Sequence, residues 1–78
     1  MAWVSKIEET IGTGRIQPTQ VVAAIKIFNL PGGAAIVQID TRGSADRAIP
    51  GKVSQTLQLG QETARQLFDL LKRTYRFV

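Results

Sequence analysis

The sequence predicts an α+β fold in which an antiparallel sheet of three to four strands is followed by one C-terminal amphipathic helix. Three observations predict it. Two β-branched runs flank the turn signal "LPGG", a shorter alternating run follows a basic loop, and apolar residues with helical spacing occupy the last third of the chain. A sheet followed by a helix that packs on it is the usual α+β arrangement. Residues 1–78 are expected to form a single domain.

Size also predicts self-association. A chain of 78 residues buries only about 60% of the surface that its unfolded form exposes. The sequence contains no cysteine, so no disulfide reinforces the small core. Domains of this size often gain the missing burial by oligomerising. We therefore expect a homodimer.

The first element is a predicted strand near residues 3–11. Trp3, Ile7 and Ile11 fall on one side of an alternating pattern, and Trp, Val, Ile and Thr favour strands. The glycines of "GTG" at 12–14 are expected to end it. A first helix over the same residues is the competing prediction.

A β-hairpin is predicted next, with strands at about 21–29 and 34–42 joined by "LPGG". Side chains alternate across a strand, so each run divides into two faces. One face of the hairpin is apolar, and the other carries charge, amide groups and one aromatic ring. The apolar face is formed by Val21, Ala23, Ile25, Ile27, Ala35, Val37 and Ile39.

Residues 43–52 are predicted to form a loop, to which Arg47 and Lys52 give positive charge. A third strand, "KVSQTLQL", then alternates, with Leu57 and Leu59 on its apolar side. Gln55 fits that side poorly, which a β-bulge or an edge position would explain.

A helix is predicted to start at Gly60. Its apolar residues follow the i, i+3, i+4, i+7 spacing of one stripe, and this stripe is expected to cover the apolar face of the sheet. One helix covers only part of a four-stranded sheet, so a second copy of the chain is expected to bury the rest. The stripe comprises Ala64, Leu67, Phe68, Leu71 and Tyr75, widened by Leu70, and the residues left for the second copy include Leu70, Tyr75, Phe77 and Val78.

Composition makes several functions improbable. The chain has no His and no Cys, which removes His-based triads, thiol nucleophiles and ordinary zinc sites. The six acidic residues are scattered, and no phosphate-binding glycine motif is present. We predict that the protein is not an enzyme and needs no cofactor.

No apolar run reaches the length of about 20 residues that a membrane span requires, and the acidic start does not resemble a signal peptide. We therefore predict a cytoplasmic or nucleoid-associated protein.

The face of the sheet opposite the helix is a candidate surface for single-stranded nucleic acid. Cations track phosphates and an aromatic ring stacks on a base, as in other single-strand binders. A net charge of +4 agrees with a polyanionic partner, but also with simple solubility. An antiparallel sheet normally has one solvated face, which explains the same residues without a ligand. The candidate binding residues are Lys26, Phe28, Arg42, Arg47 and Lys52, and the expected open face also shows Gln38, Ser54, Thr56 and Gln58.

The segments "AIKIFNLPGGAAIVQID" at 24–40 and "PGKVSQTLQLGQETARQLFDLL" at 50–71 resemble the PC4-type (p15 transcriptional coactivator) single-stranded DNA-binding domain. That resemblance covers about 50 of the 78 residues and rests on pattern more than identity. It implies a homodimer with paired helices, whose curved sheets hold single strands. It also implies that Lys26, Phe28, Arg42 and Lys52 contact the strand.

One departure from the family pattern matters. Family members often carry aromatic residues after the motif that "IVQIDTR" matches here, whereas this chain continues with "GSAD". A stacking platform is thereby lost, and Arg47 and Lys52 offset the loss only in part. The leading hypothesis is a dimeric, largely sequence-nonspecific single-stranded DNA- or RNA-binding protein of transcription, replication or repair. The alternative is a small homodimeric protein–protein interaction module, and a small-ligand binder would need a pocket.

Overall fold

The protein forms a four-stranded mixed sheet followed by one helix. This is seen in a computed structural model, which describes residues 1–43 and 53–78. The strands lie in the order β1-β4-β3-β2. Strands β2, β3 and β4 pair antiparallel, while β1 joins β4 in parallel. The predicted α+β class and the terminal helix are confirmed, and the parallel pairing of β1 is the difference. The elements are β1 (Ala2–Trp3), β2 (Val22–Asn29), β3 (Ala35–Arg42), β4 (Val53–Leu59) and α1 (Gln61–Tyr75).

The hairpin forms where it was predicted, with each strand beginning one residue later than expected. Its turn is closed by two backbone hydrogen bonds, from Gly33 N to Leu30 O at 2.9 Å and from Leu30 N to Ala34 O at 2.8 Å. Gly32 and Gly33 have φ values of 100° and 97°. Residues with a side chain rarely adopt such values, so the two glycines allow the chain to reverse here.

The predicted strand over residues 3–11 is wrong in length, and the competing helix does not form. Only Ala2 and Trp3 pair with β4, and Val4 N adds one hydrogen bond to Gln58 O at 3.0 Å. The chain then leaves the sheet and runs beside the helix. There Ile7 N donates to Gln66 Oε1 at 3.3 Å, and Glu9 forms an ion pair with Arg73. These contacts with α1 replace the sheet pairing that the alternating pattern predicted.

The register between β3 and β4 shifts between Thr41 and Arg42. Thr41 is opposite Gln55, but Arg42 is opposite Val53, so β4 contains one extra residue. A bulge of this kind bends the strand and changes which side chains share a face. It agrees with the explanation offered for the polar Gln55, which is exposed.

Helix α1 begins directly after Gly60, as predicted. Glu62 in its first turn and Lys72 and Arg73 in its last turn complement the helix dipole. Arg76, with φ 57° and ψ 40°, ends it in the left-handed conformation typical of helix C-termini. The helix therefore has favourable charges at both ends. Its N-cap residue is Gly60, so the first turn has no capping hydrogen bond from a side chain.

The prediction that the helix covers the apolar face of the sheet is wrong for the single chain. Ile25 is 63% exposed and Ile27 is 70% exposed, because α1 contacts β3 and β4 but not β2. Only one residue separates β4 from the helix, so α1 starts at the end of the sheet. The buried apolar side chains of the described part, Ile36 and Leu59, lie at that end.

The chain exposes more surface than a compact domain of its size. Its accessible area is 6958 Å², whereas a monomer of 8.5 kDa is expected to expose about 4,650 Å². Its radius of gyration is 14.9 Å, compared with about 11.5 Å for a compact domain of this length. The single chain therefore leaves exposed a part of its surface that a compact domain of this size would bury.

Replacing Gly60 by alanine tests the contact between β1 and the start of the helix. A Cβ at Gly60 would lie 2.8 Å from the indole of Trp3. Because the indole is the end of a side chain that can move, we expect it to shift outward, at a cost of about 1 kcal/mol in the free energy of unfolding. Fluorescence measures this directly, since Trp3 is the only tryptophan, and its emission should move to longer wavelength. Gly12→Ala is the control, because nothing lies within 4 Å of that position; an unchanged spectrum for Gly60→Ala would contradict the contact.

Candidate nucleic-acid interface

The strand register sorts the described side chains into two faces. Lys26 is opposite Gln38, which is opposite Gln58, and Asp40 is opposite Thr56. These residues share one side of the sheet, which we call the polar strand face, and the isoleucines of β2 lie on the other side, the apolar strand face. The polar strand face comprises Ala24, Lys26, Phe28, Ile36, Gln38, Asp40, Arg42, Thr56 and Gln58, and the apolar strand face includes Ile25, Ile27, Val37, Ile39, Leu57 and Leu59.

A hydrogen-bonded network crosses the polar strand face from β4 to β3. Thr56 Oγ1 donates to Asp40 Oδ1 at 2.7 Å. Gln38 Nε2 lies 3.1 Å from Asp40 Oδ1 and 3.3 Å from Oδ2, and Gln38 Oε1 accepts from Gln58 Nε2 at 2.9 Å. Among the described residues, no buried side-chain nitrogen or oxygen lacks a hydrogen-bond partner.

The network holds Asp40 in its charged form. The hydrogen bond from Thr56 is the largest cause that lowers the pKa of Asp40, and partial burial opposes it. The hydrogen bond from Gln38 and the positive charges of Lys26 and Arg42 lower the pKa further. A carboxylate therefore lies between two cations on this face.

Three of the five predicted site residues lie in the described part of the chain, and all three are accessible. Lys26 and Arg42 are exposed, and Phe28 is half-buried on the polar strand face. Arg42 lies two residues from Asp40 along β3, and Lys26 lies two residues along β2 from Ala24, which is opposite Asp40, so both cations flank the same carboxylate. Arg47 and Lys52, the other two predicted residues, fall outside the described residues.

The polar strand face is less open than expected. Gln38 is only 9% exposed and Thr56 only 6%, because they lie on the two central strands and bond to their neighbours. The sequence pattern predicted both residues to be on an open surface, and Asp40 was not among the predicted site residues. Alternation along β3 places Asp40 on the same side of the sheet as Gln38, and this could be read from the sequence. The pairing of Asp40 with Thr56 depends on the register between β3 and β4, which the sequence does not give.

Several cations elsewhere on the described chain are paired with acids. Lys6 Nζ lies 3.1 Å from Glu8 Oε1, and Arg65 Nε lies 3.2 Å from Asp69 Oδ1. Within residues 1–43 and 53–78, neither Lys26 nor Arg42 lies within ion-pair distance of an acid. These two cations are therefore better placed to meet phosphates than the paired ones.

A cleft lies where β1 meets the helix. This cleft of about 390 Å³ is bordered by the indole of Trp3, by Leu30 and Ile36, and by the first turn of α1 around Thr63. Thr63 is 3% exposed, and its hydroxyl donates to Gly60 O at 3.4 Å. Its polar atom is thus already engaged within the helix.

Comparison with protein-family models, with curated proteins and with solved structures finds no match to this chain. In the described part of the chain, no helix has the length and apolar character needed to cross a membrane. Among the same residues, no three acidic side chains come together as a possible metal site.

Removing the hydroxyl of Thr56 should raise the pKa of Asp40. Thr56→Val keeps the branched shape but removes the donor that is the largest cause of the lowered pKa. Because the folded-state pKa lies below the ordinary value of 3.8, Asp40 contributes stability above that pH and loses it as the pH falls through the folded-state pKa. The carboxyl carbon of Asp40, followed by NMR titration, should titrate at higher pH in Thr56→Val. Thr13→Val, at an exposed site, should leave the titration unchanged; equal titrations in both variants and the wild type would contradict the network.

Proposed function

We propose that this protein is a dimeric, largely sequence-nonspecific binder of single-stranded nucleic acid and that the polar strand face is its binding surface. The observation that carries the proposal is the grouping of two accessible cations, Lys26 and Arg42, with the ring of Phe28 on one side of the sheet. Phosphates would lie against the cations and a base against the ring. No catalysis and no cofactor are part of the proposal.

The resemblance to the PC4-type family supports the same function. Of the two segments that carry the resemblance, residues 24–40 belong to the hairpin, and the described residues of 50–71 belong to β4 and α1. We propose membership of that family and a role in transcription, replication or repair, in the cytoplasm or on the nucleoid. We also propose that Arg47 and Lys52, which lie outside the described residues, contribute positive charge to the binding of the strand.

The dimer is supported by the surface that the single chain exposes. The accessible area exceeds the expected 4,650 Å² or so by roughly 2,300 Å², whereas a standard interface takes about 800 Å² from each partner. Part of the excess is apolar, on the sheet at Ile25 and Ile27 and on the helix at Phe68 and Tyr75. Large apolar side chains that are exposed in this way are expected at an interaction site when they form a contiguous patch. We propose a second copy of the chain as its occupant.

The same exposed surface supports the second candidate, a protein–protein interaction module without nucleic-acid binding. On this alternative, the apolar strand face would bind a different protein, and Lys26 and Arg42 would serve solubility. The two candidates differ in what happens when those two cations are removed.

Removing both cations should weaken the binding of single strands and its dependence on salt. For single strands, the slope of log K against log salt is about −0.7 for each phosphate neutralised, so Lys26→Ala with Arg42→Ala should make the slope shallower by about 1.4. Fluorescence anisotropy of a labelled oligonucleotide over a series of salt concentrations measures this. Lys6→Ala with Arg15→Ala is the matched control, since it removes the same charge from the N-terminal segment.

The outcome separates the candidates. If the two double variants lose equal affinity and slope, binding depends on net charge and not on the polar strand face. If the wild type binds no single strand even at low salt, the interaction-module candidate is favoured.

An acidic residue on the exposed side of the helix should dissociate the dimer. Phe68 is 54% exposed in the single chain, and burying a carboxylate in its place without a partner is unfavourable. Sedimentation equilibrium should show a dimer for the wild type and a monomer for Phe68→Asp. Thr10→Asp, an acid added at another exposed site, should remain dimeric. A monomeric wild type would contradict the dimer while leaving single-strand binding to be judged by anisotropy.

A further inference from the structure

We propose that Asp40 gives the polar strand face a preference for guanine in the single strand. This inference rests on the proposed function and refines it, because phosphate contacts and stacking on Phe28 do not depend on sequence. Asp40 adds one contact that does. The carboxylate would accept hydrogen bonds from the adjacent N1–H and N2–H groups of guanine.

Charge decides which part of the nucleic acid can approach Asp40. The carboxylate repels phosphates, and Lys26 and Arg42 attract them. Both cations are neighbours of Asp40 in the strand register, Arg42 along β3 and Lys26 diagonally across on β2. A strand that places its phosphates on the cations therefore leaves the surface above Asp40 to a group that donates hydrogen bonds.

The carboxylate is accessible from the β2 side. Asp40 is half-buried, and the residue opposite it on β2 is Ala24, whose methyl group is too short to cover it. Among the described residues, Oδ1 accepts from Thr56 and Gln38, whereas Oδ2 accepts only from Gln38, at 3.3 Å. An ionised carboxylate has about four acceptor positions, so capacity for a ligand donor remains.

The network also fixes the orientation of the carboxylate. Asp40 only accepts hydrogen bonds, so the amide nitrogen of Gln38 must face it, and the amide oxygen of Gln38 accepts from Gln58. Thr56 holds the other side at 2.7 Å. A group already held in place loses little conformational freedom when a ligand binds, which favours discrimination.

The edges of the four bases match this acceptor to different degrees. Gln38 Nε2 already bridges the two oxygens of Asp40, so a ligand can donate only on the free side of Oδ2. Guanine presents two adjacent donors, N1–H and N2–H, which can both point at that oxygen. Cytosine and adenine each present one amino group beside a ring acceptor. Thymine and uracil present one N–H between two carbonyl oxygens, which the carboxylate repels. Bases in single strands are read on these edges, so guanine should be favoured most over thymine or uracil.

Three DNA oligonucleotides test the preference by anisotropy: one of thymidines only, one with a single central guanine, and one with hypoxanthine, which is guanine without its 2-amino group. We expect the wild type to bind the guanine oligonucleotide roughly fivefold more tightly than the thymidine one, with hypoxanthine between them. Asp40→Asn should bring this ratio close to one and should strengthen binding to thymidines, since a charge that repels phosphates is lost. Asp69→Asn on the helix makes the same charge change and should keep the ratio.

A second pair of variants keeps the charge constant and protects the test against misfolding of Asp40→Asn. Ala24→Leu should cover the carboxylate and abolish the guanine preference, whereas Ala23→Leu, on the opposite face of β2, should preserve it. Equal binding of the three oligonucleotides by the wild type overturns this inference and leaves the proposed function standing. Failure to bind any of them overturns both. A guanine preference that survives both Asp40→Asn and Ala24→Leu removes Asp40 from the explanation.

Discussion

The hydrogen-bonded register of β2, β3 and β4 is the constraint on which the rest of the structure depends. Two glycines with positive φ close the turn between β2 and β3, and the pairing that follows decides which residues are neighbours across the strands. A slip of one residue would exchange the two faces of a strand. Lys26, Gln38 and Gln58 form one row only because this turn has this length.

The division of the sheet into faces has an unusual result. Antiparallel sheets commonly pack the apolar face and solvate the polar one. Here the buried polar residues of the strands, Gln38 and Thr56, lie on the polar side, whereas Ile25 and Ile27 are exposed. Hydrogen bonding explains the first observation, because the network satisfies the buried groups. The position of the helix at the end of β4 explains the second.

Patterns within one element were predictable from the sequence, and relations between elements were not. The strong "LPGG" turn and the helical stripe located β2, β3 and α1 almost to the residue. The N-terminal strand failed because Trp3, Ile7 and Ile11 alternate as a strand does, whereas the choice between sheet and helix contacts was made by Gln66 and Arg73, far along the chain. Asp40 was missed for a similar reason. Its place in the hydrogen-bonded network depends on Thr56 across the sheet, and a carboxylate is not what a search for phosphate-binding residues selects.

The order of strands determines which edges of the sheet are open to pairing with a further strand. β2 is an edge strand, and β1 covers only two residues of the β4 edge. Edge strands with free backbone donors and acceptors are templates for further pairing, and natural proteins protect them with charges, bulges or short lengths. The β4 edge has its bulge next to Val53, whereas β2 runs for eight residues with Lys26 as its one charged side chain. Lys26 is therefore the one charge within β2 that opposes pairing of this edge with a further strand, and so opposes aggregation.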